Sequence, residues 1–251
     1  SPPSHKFESF LKPLSLLLST PSSPNMTAPK ADPVQFRILP ATEEDCLDLA
    51  KIESASFSDA SRDTPERNSF LIMLGPPTEE GIEFRQKNFI EKLTQDPSSK
   101  FWKVVVNEGD QGPDKVVACA LWHFYTEPLV MDEWKGFPWP STANADACDA
   151  LIGGVYCNRR KHMNNKTFGF LQVLGTLREY RGCGIGSALM ETGLNYGISQ
   201  GLTEFWIDAS ADGYPLYRKF GFEDVDVVRK DLTPYGGVGN SDIVGMRKLI
   251  V

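Results

Sequence analysis

The sequence holds few of the residues that build metal centres, nucleic-acid interfaces or membrane spans. Only three histidines occur in 251 residues, and the five cysteines form no CxxC pair, so we expect no metal site. The 33 acidic residues outnumber the 26 basic ones, and the formal charge of -7 repels nucleic-acid phosphates and anionic lipids. No apolar run reaches the roughly 20 residues that a membrane-spanning helix needs. We therefore expect no metal, no nucleic-acid partner and no membrane partner.

The cysteines and the first residues bear on where the protein is found. Five cysteines, an odd number at scattered spacings, are typical of reduced thiols, which predicts a cytoplasmic or nuclear protein. Residues 1–33 are rich in Ser, Pro and Leu, and an apolar patch at 10–18 resembles a weak leader that Pro13 interrupts. We interpret 1–33 as a disordered N-terminal extension, with a leader as the alternative, and 34–251 as one domain.

What is present is the composition and patterning of a folded domain. Apolar residues make up 41% and charged residues 24%, as in an ordinary globular protein. Alternating patterns predict strands at 34–38, 101–106, 115–124, 168–177, 204–209, 222–229 and 242–250. Helical patterns predict helices after Thr42, within 58–81, and at 84–93, 143–162, 184–200 and 214–220. An antiparallel hairpin followed by alternating strands and helices predicts an α/β fold (α+β mixed), with a mixed sheet covered by helices.

Residues 126–167 form an insert between the predicted hairpin and the later strands. Trp134, Phe137 and Trp139 lie in a proline-rich loop of this insert, ahead of its predicted helix. We expect the insert to shape a pocket or a lid, because loops on a rigid scaffold often do so. The alternative is that these aromatic side chains only pack the insert against the core.

A glycine-rich segment, which we call the glycine loop, lies between the strand at 168–177 and the helix at 184–200. Its residues are Arg181, Gly182, Cys183, Gly184, Ile185, Gly186 and Ser187. A chain placed there directs several backbone N–H groups at one anion, and the helix dipole adds favourable charge, so a pyrophosphate is the natural ligand. The spacing matches neither the dinucleotide-binding GxGxxG nor the P-loop pattern. A tight turn without a ligand is the alternative.

Two motifs in order make this reading more specific. Arg181, Gly184 and Gly186 form a pattern that is similar to the R/Q-x-x-G-x-G/A motif of the GNAT superfamily of N-acyltransferases. The segment 208–222, with Tyr217 in it, looks like the family's later strand, helix and YxKxGF ending. The chain resembles fungal members of the superfamily most, and the resemblance covers about 168–222. It implies a GNAT-like fold whose central sheet is mixed, mostly antiparallel and flanked by helices.

The resemblance also implies an activity and a site. The activity is transfer of an acetyl group from acetyl-coenzyme A, a co-substrate, to a primary amine of a small molecule or protein. Backbone N–H groups of the glycine loop would hold the pyrophosphate, the strand edge would pair with the pantetheine, and Tyr217 would protonate the leaving thiolate. The residues implied for coenzyme A are Leu174, Gly175, Thr176, Arg181, Gly182, Cys183, Gly184, Ile185, Gly186, Ser187 and Ser210.

The general base and the acceptor stay open at this point. Asp208, His123 and Glu133 are candidates for the base, and a water relay is the alternative. Small-molecule amines, lysine side chains and protein N-termini all fit as acceptors, and the donor could be longer than acetyl. An inactive acyl-coenzyme A sensor or interaction module of the same fold, and a nucleotide-binding enzyme, are the competing hypotheses for the function.

Overall fold

The computed structural model describes residues 34–59, 65–107 and 113–250. The predicted extension at 1–33 lies outside the described residues and stays a prediction. Seven strands are present in this part of the chain: β1 (Phe36–Pro40), β2 (Ser99–Asn107), β3 (Asp114–Leu129), β4 (Lys166–Thr176), β5 (Glu204–Ala209), β6 (Glu223–Asp231) and β7 (Asn240–Leu249). The α-helices there are α1 (Cys46–Phe57), α2 (Pro65–Leu74), α3 (Glu79–Gln95), α4 (Ala145–Cys148), α5 (Gly154–Met163), α6 (Ile185–Ser199) and α7 (Tyr214–Lys219).

The seven strands form one sheet in the order β1-β2-β3-β4-β5-β7-β6. Neighbouring strands are antiparallel, except that β4 and β5 run parallel to each other. The parallel pair follows from the connection through α6. This helix returns the chain to the end of the sheet where β4 began, so that β5 starts from the same end. This architecture confirms the predicted fold class, a mixed and mostly antiparallel sheet flanked by helices.

Helices cover both faces of the sheet. On one face the buried side chains of α6 join a core that includes Trp122 of β3 and Phe205 of β5. Gly193 of α6 is required there, because a Cβ at this position would overlap the indole ring of Trp122. On the other face α1 and α3 pack on β2 and β3 through Cys46, Leu49, Ile52, Phe89, Phe101 and Leu121. The two cores therefore cover both faces of β3 and β4.

Two predicted helices differ from the observed ones for local reasons. The helix expected at 84–93 begins earlier, at Glu79, because the Thr78 side chain accepts a hydrogen bond from the N–H of Gly81 at 3.1 Å and caps the first turn. The helix expected at 143–162 is divided by a π-helical turn at Asp149–Gly153. The indole of Trp134 packs against Gly153 in that turn, which leaves no room for a side chain there.

The described residues can be searched for metal-binding groups and membrane-spanning helices. Within 34–59, 65–107 and 113–250, no group of three or more His, Cys, Asp or Glu residues could hold a metal ion. None of the helices described there has the length and apolar character needed to cross a membrane. All five cysteines are free thiols in the structure.

Candidate active site

The site begins where β4 and β5 separate. The two strands pair only at Gly169, Phe170 and Leu171 of β4, opposite Phe205, Trp206 and Ile207 of β5. Beyond Leu171, β4 continues to Thr176 with β3 as its strand partner, and a bulge in the β3–β4 register falls at Gln172. The strands therefore diverge into a cleft, and one edge of β4 faces it.

The glycine loop closes one end of this cleft. Gly182 and Gly184 have φ values of +77° and +84°, and Gly184 is the residue from which α6 starts. A Cβ at either position would meet nothing within 4 Å, so glycine is required there by backbone conformation and not by space. The first intrahelical bond runs from the N–H of Ala188 to the oxygen of Gly184, which leaves the N–H groups of residues 185–187 available to an anion.

Arg181 holds the loop to the rest of the site. Its guanidinium donates to the carboxylate of Asp59 at 2.8 Å and to the backbone oxygens of Ser56, at 3.1 Å, and Thr176, at 3.0 Å. These contacts connect the end of β4 with the last turn of α1 and the segment that follows it. A guanidinium engaged in this way positions the loop, and any charge it contributes to a phosphate is shared with Asp59.

Tyr217 and Ser210 lie on the β5 side of the cleft. Tyr217 is in α7 with 8% of its surface exposed, and its ring packs against Phe222 with centres 6.4 Å apart. Burial raises the pKa of the Tyr217 phenol well above its ordinary value, so the hydroxyl keeps its proton at neutral pH. Ser210 follows β5 directly, and its hydroxyl accepts a long hydrogen bond of 3.4 Å from the N–H of Gly213. Both residues line the cleft.

Asp208, one of the three candidate bases, is in an ion pair that the sequence did not reveal. One carboxylate oxygen accepts a hydrogen bond from Arg159 of α5 at 2.5 Å, and the other accepts one from the indole of Trp206 at 2.7 Å. Burial raises the pKa of Asp208, and Arg159 and Trp206 oppose that rise. The Arg159 guanidinium also lies 3.8 Å from the centre of the Phe170 ring. The carboxylate is therefore engaged on both oxygens.

His123, the second candidate base, belongs to a hydrogen-bonded chain between α3 and β4. Its Nδ1 lies 3.1 Å from the carboxylate of Asp96, and its Nε2 lies 2.7 Å from the side-chain oxygen of Gln172. The hydrogen bond from His123 holds the pKa of Asp96 well below its ordinary range. His123 is only 2% exposed, and it lines the cleft together with Gln172 at the β4 bulge. Glu133, the third candidate, is exposed and lies outside the lining of the cleft.

The cleft continues from the glycine loop past Tyr217 to the insert, and its volume is about 1350 Å³. We call its far part, between α2, α3 and the insert, the acceptor half. The volume exceeds the roughly 300–1,000 Å³ of a pocket for one small ligand. In this half the sequence pointed only to the aromatic residues of the insert. Lys92 and Arg159 had no signal in the sequence, because the lining residues are scattered along the chain.

The structure brings together most of the residues that the resemblance implied. Those that line the cleft are Leu174, Thr176, Arg181, Gly182, Gly184, Ile185, Gly186, Ser187, Ser210 and Tyr217. Two lie elsewhere. At Gly175 the position of a Cβ points towards α1, where it would lie 3.1 Å from the hydroxyl of Ser56. The thiol of Cys183 lies 3.8 Å from the backbone oxygen of Arg181, within the loop itself.

Comparisons with known proteins bear on both the sequence motifs and the fold. Residues 114–222 match the model of the acetyltransferase (GNAT) family. N-alpha-acetyltransferase 30 of Schizosaccharomyces pombe is 26% identical over 101 residues, which cover 39% of this chain and 65% of that protein. The chain thus spans less than two thirds of the length of this curated relative.

Solved structures extend the comparison to most of the chain. A histone acetyltransferase from Corynebacterium glutamicum is similar, with 17% identity, a TM-score of 0.50, and coverage of 86% of this chain and 97% of that one. A proposed acetyltransferase from Acinetobacter baylyi has 14% identity, a TM-score of 0.52, and coverage of 86% and 94%. At these identities the likeness shows a shared fold. The resemblance of 168–222 to the GNAT superfamily is confirmed by the family model that matches residues 114–222.

Proposed function

We propose that this chain, in which residues 114–222 match the model of the acetyltransferase (GNAT) family, transfers an acetyl group from acetyl-coenzyme A to a primary amine. The observation that supports this most directly is the divergence of β4 from β5 beside the glycine loop. β4 offers a strand edge, and the glycine loop offers free N–H groups. An extended pantetheine that ends in a pyrophosphate needs both.

The chemistry of the proposed transfer assigns a role to Tyr217. The neutral amine nitrogen attacks the thioester carbon, a C–N bond forms and the C–S bond breaks. The nitrogen loses one proton to water, and the sulfur leaves as a thiolate that must gain one. The buried phenol of Tyr217 can donate to that sulfur. Burial raises the pKa of the phenol, so Tyr217 holds its proton at neutral pH until the thiolate forms.

An acyl-coenzyme A-binding module without turnover is the alternative. It is favoured by one observation: Asp208 and His123, the two base candidates that reach the cleft, are both engaged by protein partners. An acetyltransferase with this site would receive its acceptor as the neutral amine, or pass the proton through water.

The direct test is calorimetry with acetyl-coenzyme A together with a thiol-release assay against a panel of primary amines. We expect saturable binding at one site and release of coenzyme A thiol that depends on the amine. Binding without thiol release from any amine would favour the non-catalytic module. A complete lack of binding would contradict the coenzyme A assignment itself.

Replacement of Gly184 by Ala is expected to weaken acetyl-coenzyme A binding. An L-residue at φ near +84° costs about 1–2 kcal/mol, so the loop either pays that cost or rotates its N–H groups out of position. The Kd measured by calorimetry should rise about tenfold or more. Gly201→Ala is the matched control, because Gly201 has φ +83°, an open Cβ position and a place outside the cleft. Gly201→Ala should lower the free energy of unfolding by a similar amount and leave the Kd for acetyl-coenzyme A unchanged. Equal Kd values for the two variants would contradict the role of the loop.

A further inference from the structure

The acceptor half of the cleft is lined by aromatic side chains from separate parts of the chain. We call the group the aromatic chamber: Phe70 of α2, Phe84 of α3, Trp134, Phe137 and Trp139 of the insert, and Tyr156 of α5. Phe137 connects the two sides, because its ring centre lies 6.1 Å from that of Phe84 and 4.9 Å from that of Trp139. The chamber therefore offers aromatic faces and edges on opposing walls.

The insert is fastened to the helices opposite it, so the chamber is already formed. The N–H of Asn144 donates to the backbone oxygen of Met73 in α2 at 2.8 Å. The hydroxyl of Ser141 donates to the carboxylate of Glu80 in α3 at 2.7 Å. Small-ligand sites are usually preformed, apolar and lined by a few polar groups, and this chamber matches that description.

Several carboxylates that line the cleft already have partners. Three such pairs are Glu53 with Arg85 at 3.3 Å, Asp208 with Arg159 at 2.5 Å, and Asp96 with His123 at 3.1 Å. A polyamine or a lysine-rich tail needs several carboxylates to receive its positive charges. Those three carboxylates offer little, because each is committed to a neighbouring side chain.

Lys92 adds a positive charge to the same cleft. Burial lowers the pKa of its ammonium, while the nearby carboxylates of Asp96, Glu91 and Glu53 oppose that effect. A second ammonium that entered beside Lys92 would be repelled by it and would lose its hydration. The same two effects favour the neutral form of an incoming amine, which is the form that attacks a thioester.

We propose that the acceptor is a small monoamine with an aromatic body, which fills the aromatic chamber and presents its amine towards the β4–β5 divergence. This inference rests on the proposed acetyl transfer for its chemistry. Desolvation in the chamber delivers the amine neutral, so the site needs no dedicated carboxylate base. The carboxylates of Glu53, Asp96 and Asp208 are engaged by other side chains, and Lys92 lines the same cleft, so the site disfavours polyamines and protein tails.

The test separates binding from transfer. Calorimetry on the wild-type protein saturated with coenzyme A compares 2-phenylethylamine, spermidine and a short peptide with a free α-amino group, and thiol release is measured in parallel. We expect 2-phenylethylamine to bind at least about tenfold more tightly than the other two. Tighter binding of spermidine or the peptide, or no binding of 2-phenylethylamine, overturns the inference. Binding of 2-phenylethylamine without thiol release contradicts the proposed acetyl transfer while it supports the chamber.

Two variants sharpen the result. Phe137 is 43% exposed, so Phe137→Ala removes one wall of the chamber without opening the core, and the Kd of 2-phenylethylamine should rise about fivefold to tenfold. Val130→Ala is the control, since Val130 lies in the same insert, is 73% exposed and is outside the cleft lining. Lys92→Gln should tighten spermidine binding about threefold or more relative to 2-phenylethylamine, because spermidine carries more positive charges for Lys92 to repel. Equal Kd values in Phe137→Ala and wild type would overturn the assignment.

Discussion

Tyr217→Phe is expected to lower the rate of thiol release by about 10²- to 10⁴-fold, the range that a positioned general acid contributes. The substitution keeps the ring that packs on Phe222 and removes only the hydroxyl, so the fold should be preserved. The Kd for acetyl-coenzyme A should stay unchanged, because the glycine loop and the β4 edge are untouched. Steady-state thiol release and calorimetry on the same preparation measure the two quantities.

Tyr214→Phe is the matched control for this result. Tyr214 lies in the same helix α7, and its hydroxyl donates to Asp224 at 3.0 Å, outside the lining of the cleft. Its loss should leave thiol release within about twofold of wild type, since an exposed hydrogen bond adds little to the site. A Tyr217→Phe rate equal to that of Tyr214→Phe would contradict the role of Tyr217 as the acid.

The pH profile gives a second check on Tyr217. An acid must hold its proton, and burial raises the pKa of this phenol, so its loss of the proton falls at higher pH than for a free tyrosine. Deprotonation of Tyr217 should therefore cause no decline in wild-type thiol release between about pH 8 and pH 9.5. A decline in this range that is present in wild type and absent in Tyr217→Phe would contradict the raised pKa.

The sequence predicted those parts of the site that are continuous along the chain. The glycine loop was visible because its requirement for positive φ and free N–H groups is local to residues 181–187. The strand before it, the helix after it and the position of Tyr217 followed from apolar periodicity and from the motif. The order of strands and helices predicted a mixed sheet for the same reason, since each element reads from its own residues.

The partners of the site residues were beyond the reach of the sequence. Arg181 pairs with Asp59, 122 positions away, and Asp208 pairs with Arg159, 49 positions away. Nothing in local pattern or spacing links such residues, because their proximity depends on how the insert and α1 fold over the sheet. The expectation that the insert shapes a pocket agrees with its aromatic residues in the cleft lining. The structure was needed to show which half of the cleft the insert forms.

Arg159→Met is expected to destabilise the protein by about 3–5 kcal/mol, because it leaves the buried carboxylate of Asp208 without its cation. The side chains of Arg159 and Asp208 are only 15% and 11% exposed, so water compensates little for the loss. At roughly 2–4 °C per kcal/mol for a domain of this size, thermal unfolding at pH 7 should occur about 10 °C lower. Arg229→Met is the control: its pair with Asp242 is exposed, and its unfolding midpoint should move far less.

The pH dependence of Arg159→Met identifies the cause of its instability. Burial already places the folded-state pKa of Asp208 above the unfolded value near 3.9, and loss of Arg159 raises it further. A carboxyl group with a raised folded pKa destabilises the fold above that pKa and ceases to do so as pH falls towards the unfolded value. The gap in unfolding free energy between variant and wild type should therefore narrow from pH 7 to about pH 5. A gap that stays constant would mean that Arg159 stabilises the insert by packing on Phe170, and that its charge contributes nothing.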